Sequence, residues 1–278
     1  MTYEDSLPPA FSEFLAQSVN SRYFDYYTGP FSHFENLLLK KHSVHTDVVA
    51  LRNVLTSTQD VLLEIGAGSG RVTKELFESC GKVIALEKSS DSFRHLRERF
   101  ADKCEVLNED FFKFYPRQGE RVDGVVLGSL SINLFLEQDV DNFLEHCDRI
   151  LTKNGAVYFG CFDQSSVIDF EKYTGKVGSS MTLEDYIDEE DQSRLMISNT
   201  MYLKDEQYLM QNWFVDMHGS TMYPQFCFSA LIEKIWTLDT LQPYFDSWGF
   251  ALLETSEFRI EGGGGDGLLA RMCKLTRA

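Results

Sequence analysis

The sequence is short of positive charge. Its 278 residues include 26 Lys and Arg against 43 Asp and Glu, which gives a formal net charge of −17. A chain of this sign repels phosphate backbones and anionic membrane surfaces. We therefore expect neither nucleic acid nor a membrane among its general partners.

Long apolar runs and paired cysteines are also missing. No stretch approaches the ~18 apolar residues of a membrane-spanning helix, and the polar, acidic residues 2–5 do not resemble a secretion signal. The six cysteines lie far apart without a Cys-x-x-Cys motif, so neither a zinc clip nor a redox pair is indicated. We predict no metal site, and reduced thiols in a cytoplasmic protein.

The stretch VLLEIGAGSGRVT, residues 61–73, is the most informative part of the sequence. Its apolar start predicts a strand buried on both faces, and the residues after Gly70 have helical spacing. Strand, glycine turn and helix together predict the first βα unit of a doubly wound α/β sheet. A dinucleotide fingerprint would need glycine at the sixth position of Gly-x-Gly-x-x-Gly, where this sequence has Arg71.

The acid and the glycines of this stretch form a different pattern, Glu-x-Gly-x-Gly-x-Gly. This pattern resembles motif I of the class I S-adenosylmethionine-dependent methyltransferases. The resemblance implies a Rossmann-like doubly wound sheet, S-adenosylmethionine as the cofactor, and methyl transfer as the activity. It also implies that the loop of this stretch packs against the methionyl part of the cofactor. The residues of that loop are Glu64, Gly66, Ala67, Gly68 and Gly70.

The end of the second predicted strand carries another acid. Glu87 lies 21 residues after Gly66, which is close to the offset of the ribose-binding acid in dinucleotide folds. A carboxylate at this place can accept hydrogen bonds from both ribose hydroxyls. Glu87 and the following Lys88 are therefore candidates for cofactor binding.

Two later strand ends complete the predicted cofactor site. Asp110 and Phe111 follow the third strand, where the family has an acid for the adenine amino group and an apolar residue that stacks on the ring. Gly128 and Ser129 follow the fourth strand, and ligands of such sheets bind outside the carboxyl ends of the strands. We expect these two residues to lie beside the sulfonium.

The sequence divides into four predicted parts. These are an N-terminal helical lid (1–45), the cofactor-binding core (46–175), an antiparallel β insertion (176–236), and a C-terminal helix with the closing strands of the core (237–278). Tyr23 and Tyr27 loosely fit a Tyr-Asp-x-x-Tyr-like segment that small-molecule methyltransferases carry on a mobile lid. Packing of an aromatic helix on the domain explains the two tyrosines equally well.

The insertion is predicted to hold three strands between residues 195 and 232. Their turns are too short for crossover helices, so the strands are expected to be antiparallel. They are rich in Met and aromatic side chains, Tyr202 and Trp213 among them, and packing alone explains any single one. One face of the meander could roof an apolar cavity for a small organic acceptor.

The run from residue 61 to 114 also resembles the rRNA adenine dimethyltransferases. Those enzymes carry Asn-x-Pro-Tyr/Phe after the fourth strand to hold a flipped adenine, whereas this sequence has Leu-Gly-Ser-Leu at 127–130. The net charge of −17 also has the wrong sign for RNA. We therefore predict methyl transfer to N or O of a small organic acceptor. An rRNA enzyme and a non-catalytic S-adenosylmethionine-binding protein are the alternatives, and a homodimer is left open.

The histidines supply the candidates for a general base. A neutral amine acceptor needs no base in the transfer step, but a phenol or an alcohol does. His33 adjoins the predicted lid and His218 lies at a turn of the meander, so these two are the candidates. The other four, at positions 42, 45, 95 and 146, lie on charged helical stretches and are expected to be exposed.

Overall fold

The computed structural model describes residues 21–32, 46–55, 59–117, 120–167, 179–187, 193–203, 207–260 and 268–278. The helices and strands, in chain order, are β1 (Ser21–Tyr23), α1 (Thr46–Val54), β2 (Gln59–Ile65), α2 (Arg71–Leu76), β3 (Cys80–Leu86), α3 (Ser90–Phe100), β4 (Glu105–Leu107), β5 (Val122–Leu127), α4 (Glu137–Ile150), β6 (Leu151–Phe162), β7 (Ser179–Ile187), β8 (Ser193–Leu203), β9 (Tyr208–Asp216), β10 (Phe226–Lys234), α5 (Leu238–Ser247), β11 (Phe250–Ile260) and β12 (Leu268–Arg277).

The chain divides into two compact units. One, which we call the core unit, takes residues 43–170 and 234–278, and the other, the insert unit, takes residues 1–42 and 171–233. Each unit is built around its own sheet. No helix among the described residues has the length and apolar content needed to cross a membrane.

The core unit contains a seven-stranded sheet in the order β11-β12-β6-β5-β2-β3-β4. The strands from β6 to β4 pair in parallel, and β12 runs antiparallel to both β6 and β11. Parallel neighbours need crossover connections, and helices α2, α3 and α4 lie between successive parallel strands along the chain. The predicted doubly wound α/β sheet of the class I methyltransferase type is confirmed.

Helices cover both faces of this sheet, as the packing of neighbouring strand residues shows. Leu63 of β2 belongs to a cluster that contains residues of α4 and α5, whereas Leu62 belongs to one that contains residues of α1 and α2. Both leucines are fully buried. The long apolar runs of the central strands therefore follow from burial on two faces.

The insert unit contains a five-stranded sheet in the order β1-β10-β9-β8-β7. Strands β7, β8 and β9 pair antiparallel, and β1 pairs in parallel with β10. The three predicted strands are present as β8, β9 and β10. A further strand, β7, precedes them and pairs with β8. The predicted helical lid falls mostly outside the described residues.

Candidate functional site

The loop between β2 and α2 has a backbone that only glycine adopts easily. Gly66, Gly68 and Gly70 have φ angles of 63°, 54° and 84°, in the left-handed region. A Cβ on Gly70 would lie 2.2 Å from Cε2 of Phe100, so Gly70 is required for packing against α3. A Cβ on Gly66 would meet no atom within 4 Å, and one on Gly68 would meet only the Gly66 carbonyl oxygen at 3.9 Å. The loop thus leaves open space beside Gly66 and Gly68.

Glu87 lies directly beside this loop. Its carboxylate accepts hydrogen bonds from the backbone N–H groups of Gly68 at 2.8 Å and Ser89 at 2.6 Å. Burial raises the pKa of Glu87, and these hydrogen bonds oppose that rise. The amide of Asn108 holds the same segment by donating to the carbonyl oxygen of Glu87 at 2.8 Å. The structure therefore brings the predicted ribose-binding acid to the glycine loop.

Lys88 and Asp110 are joined by an ion pair. Nζ of Lys88 lies 2.9 Å from Oδ2 of Asp110, and the other carboxylate oxygen accepts the N–H of Phe112 at 3.1 Å. Burial alone would raise the pKa of Asp110, but the hydrogen bonds from Lys88 and Phe112 hold it below its ordinary value. Asp110 stays partly exposed on the segment that follows β4, so it remains our candidate for the adenine amino group.

The ring of Phe111 occupies the hydrophobic core. It is 4% exposed, with its centroid 5.6 Å from that of Phe143 and 4.7 Å from that of His146. To stack on an adenine, as the sequence analysis predicted, this ring would have to leave the core. The adjacent ring of Phe112 is 36% exposed and meets that requirement better. Sequence reasoning could not separate two adjacent Phe residues after the same strand.

The prediction that the side chain of His146 is exposed is also wrong. It is buried, and its Nε2 lies 2.7 Å from the carbonyl oxygen of Phe114. Burial lowers its pKa. The reason is its position on α4, because His146 falls on the same helical face as the buried Phe143 and Cys147.

Glu64, at the end of β2, is buried and only partly hydrogen-bonded. It is 2% exposed, and its Oε2 has no hydrogen-bond partner among the described residues. Burial raises the pKa of Glu64 to about 8. The nearest cation along the chain, Arg71, is engaged by Asp47 of α1 through two hydrogen bonds of 2.6 and 2.7 Å. Nothing in the local sequence pattern indicated this ion pair, whose partners lie 24 residues apart.

Gly128 and Ser129 follow β5, which is the direct neighbour of β2 in the sheet. Ser129 has φ of 51°, a left-handed conformation that is uncommon for residues other than glycine. A Cβ on Gly160 would lie 2.1 Å from the carbonyl oxygen of Ser129, so the segment packs closely on β6. Strained residues of this kind often occur at ligand sites. The segment thus ends at the same edge of the sheet as the glycine loop.

The remaining candidates belong to the insert unit. Tyr23 is an exposed residue of β1, and the ring of Tyr27 packs edge-on against that of Tyr26 at 5.0 Å. His218 is exposed in the turn after β9, and His33 lies outside the described residues. Their roles in a lid and as a base remain predictions. No group of three or more His, Cys, Asp or Glu suited to a metal ion occurs in the described part of the chain.

Comparison with protein families matches residues 62–155 to a methyltransferase domain. An uncharacterized methyltransferase of Oceanobacillus iheyensis is 26% identical over 138 residues, covering 50% of this chain and 61% of that protein. An rRNA adenine N-6-methyltransferase of Bacteroides fragilis is 31% identical over 101 residues, covering 34% of this chain and 38% of that protein. The matches thus span less than two thirds of either relative.

Solved structures resemble the chain over more of its length. A S-adenosylmethionine-dependent methyltransferase of Clostridium acetobutylicum has a TM-score of 0.63 at 12% identity, covering 89% of this chain and 98% of that chain. The sugar N-methyltransferase KedS8 of Streptoalloteichus sp. has a TM-score of 0.61 at 13% identity, covering 88% and 93%. The glycopeptide N-methyltransferase MtfA, complexed with S-adenosylmethionine, has a TM-score of 0.54 at 18% identity, covering 98% of each chain.

At such low identities the structural likeness establishes the fold, and the family match identifies the domain. The matched residues 62–155 include the glycine loop, Glu87 and Asp110. The chain therefore contains a methyltransferase domain built on the Rossmann-like fold of the class I S-adenosylmethionine-dependent methyltransferases.

Proposed function

We propose that this protein transfers the methyl group of S-adenosylmethionine to a nitrogen or oxygen atom of a small organic acceptor. The observation that carries the proposal is the open space beside Gly66 and Gly68, with the Glu87 carboxylate 2.8 Å from the Gly68 nitrogen. A side chain on either glycine would fill that space, which fits a loop that lies against a ligand. The methyltransferase domain identified in the same residues supports this assignment.

The cofactor, when bound, supplies an electrophilic methyl group on a sulfonium. The task of the chain is to bind and orient it, because in-line positioning of a nucleophile about 3 Å away does most of the catalytic work. Each oxygen of Glu87 accepts one backbone N–H and retains capacity for a ribose hydroxyl. Asp110 is held by Lys88 with its carboxylate partly exposed, where it can accept from an amino group.

A small acceptor is favoured over RNA by two properties of the sequence. The net charge is −17, and the segment after β5 lacks the Asn-x-Pro-aromatic motif that holds a flipped adenine. The structural likeness to KedS8, a sugar N-methyltransferase, supports the same class of acceptor. The rRNA alternative is favoured by the 31% identity to the Bacteroides fragilis enzyme over 101 residues.

Electrophoretic mobility shift assays with rRNA fragments distinguish a small organic acceptor from an rRNA acceptor. We expect no specific complex at physiological salt, because an acidic protein has few cations with which to replace the counterions of RNA. A matched rRNA adenine methyltransferase serves as the positive control. A sub-micromolar complex that weakens steeply with salt would contradict the small-acceptor proposal.

Calorimetry with S-adenosylhomocysteine tests the cofactor site. We expect micromolar binding to the unmodified protein, equivalent to roughly 8 kcal/mol, and no binding of NAD. Glu87→Gln keeps the shape of the side chain but loses one acceptor oxygen, so the affinity should fall by ~1–2 kcal/mol. Glu98→Gln, on an exposed face of α3, is the control that should bind normally. Unchanged affinity in Glu87→Gln would remove this acid from the site.

Transfer itself requires a separate measurement. Incubation with methyl-labelled S-adenosylmethionine and a broad set of amines, phenols and alcohols should yield a labelled product that mass spectrometry identifies. Cofactor binding without transfer to any acceptor would instead favour the non-catalytic binding protein.

A further inference from the structure

Strands β9 and β10 of the insert unit separate their side chains onto two distinct faces. Trp213 and Val215 of β9 pack in one cluster with Cys227 of β10. Phe214 packs instead on the rings of Phe226 and Phe228, at centroid distances of 5.6 and 5.1 Å. Since side chains alternate along a strand, the odd-numbered residues of β9 and β10 share one face of the sheet.

This odd-numbered face carries four polar side chains, Gln211, Trp213, Ser229 and Glu233, which we call the polar patch. Nε2 of Gln211 donates a hydrogen bond to the Glu233 carboxylate, which fixes the two strands against each other at this point. Ser229 is fully buried, and its Oγ has no hydrogen-bond partner among the described residues. Nε1 of Trp213 is likewise buried without a partner there.

A buried polar group without a hydrogen-bond partner lowers the stability of the folded protein, so these groups need an explanation. A buried donor or acceptor without a partner costs about 1–3 kcal/mol, and native structures contain few of them. The other two indole N–H groups of the chain are paired. Trp236 donates to the carbonyl oxygen of Phe135 at 2.8 Å, and Trp248 donates to Oδ1 of Asp141 at 3.1 Å. Trp213 is thus the one of the three indoles without a hydrogen-bond partner among the described residues.

The charge of the patch indicates what kind of partner it lacks. Burial raises the pKa of Glu233, opposed by the hydrogen bond from Gln211. No Lys or Arg of the described residues makes an ion pair with Glu233 in the structure. Beside the patch, the ring of Tyr26 lies 5.3 Å from that of Trp213, and aromatic faces attract cations. An ammonium group would neutralise the carboxylate, and an oxygen atom would accept from the indole.

We propose that the polar patch binds a small hydroxylated amine. Its ammonium group pairs with Glu233, and one of its oxygen atoms accepts the N–H of Trp213. Gln211 and Trp213 are two residues apart on one face of β9, about 7 Å along the strand, and Gln211 contacts Glu233, so one small molecule can reach both Trp213 and Glu233. This binding does not depend on the proposed methyl transfer and can be measured without the cofactor.

Nitrogen-15 NMR of the indole groups provides a direct readout, because the chain has only three Trp residues. The probes are ethanolamine, serinol and glucosamine, each compared with its amine-free counterpart, ethylene glycol, glycerol and glucose. We expect at least one amine to move the Trp213 resonance, which a Trp213→Phe variant assigns. The Trp236 and Trp248 resonances serve as internal references, and the amine-free counterparts should move none of the three.

Two variants separate binding from folding. Glu233→Gln should weaken the amine-dependent shift of Trp213 at least tenfold, because it removes the charge and retains the size. Asn212→Leu is the matched control on the opposite face of β9, where a fully buried amide also lacks a partner. Replacing such a group by an apolar one of similar shape is close to neutral for stability. Its amine titration should match that of the unmodified protein.

The proposal fails if none of the amines moves the Trp213 resonance, if the amine-free probes move it equally, or if Glu233→Gln binds normally. Failure of the proposed function has a different signature. The protein would then not bind S-adenosylhomocysteine, while the amines would still shift Trp213. Binding of S-adenosylhomocysteine without any amine response would leave the methyl-transfer proposal intact and reject the polar patch.

Discussion

Replacement of Gly66 by Leu should abolish measurable binding of S-adenosylhomocysteine, with a loss of more than 100-fold, or about 2.7 kcal/mol. No atom lies within 4 Å of the position that the new Cβ would take. The new Cβ would therefore displace no protein atom, and the rest of the side chain extends from it into the space beside the loop. If the methionyl part of the cofactor takes that space, the four carbons of the side chain exclude it.

The chain offers a closely matched control at Gly249. Its φ of 66° equals that of Gly66, at 63°, within a few degrees, and a Cβ there also meets nothing within 4 Å. Both glycines are exposed, and Gly249 follows α5, outside the glycine loop. Leucine at either position carries the same left-handed strain of roughly 1–2 kcal/mol.

Urea unfolding should therefore show a similar loss of stability in Gly66→Leu and Gly249→Leu. Calorimetry should show normal cofactor affinity in Gly249→Leu alone. Normal affinity in Gly66→Leu would mean that the open space beside the loop does not hold the cofactor. An equal loss of affinity in both variants would attribute the effect to destabilisation.

The parts of this protein that the sequence predicted are those set by local patterns. The apolar run before Gly66 predicts a strand buried on two faces, and β2 is that strand. Thr237 precedes a run of residues with helical spacing and Gly249 follows it, and the structure has Thr237 as the N-cap of α5. The spacing from Gly66 to Glu87 works in the same way, because one βα unit has a nearly fixed length.

The features that the sequence did not predict depend on contacts between distant residues. Asn154–Gly155 is a pair typical of a turn, but it lies within strand β6, where pairing with β5 is irregular. The sequence predicted three strands in the insertion between residues 195 and 232, and a further strand, β7, forms at residues 179–187 by pairing with β8. The hydrogen bond from Gln211 to Glu233 joins residues of two strands whose register the sequence does not fix.

The second prediction with a large effect concerns Glu64, whose ionisation should make the stability of the protein depend on pH. Burial raises its pKa to about 8 from the ordinary value of 4.5. The folded protein therefore holds this proton more tightly than the unfolded chain does. The contribution to stability is fully present below about pH 4.5 and is lost as the pH rises to about 8, at roughly 1.4 kcal/mol per pH unit.

Glu64→Gln removes this ionisation and keeps the size and polarity of the protonated side chain. Relative to the unmodified protein, the variant should be equally stable near pH 4.5 and more stable at higher pH. The difference should grow to about 4 kcal/mol near pH 8. Urea unfolding at several pH values measures this difference, in which the titration of all other groups cancels.

Glu98→Gln on α3 is the matched control, because this glutamate is exposed to solvent. Its stability difference from the unmodified protein should stay flat across the same pH range. A flat difference for Glu64→Gln as well would show that the buried carboxyl ionises near its ordinary pKa. That result would require a partner for the Oε2 atom, which has none among the described residues. A rising difference would instead establish that this protein carries an acid at the start of its glycine loop that is protonated at neutral pH.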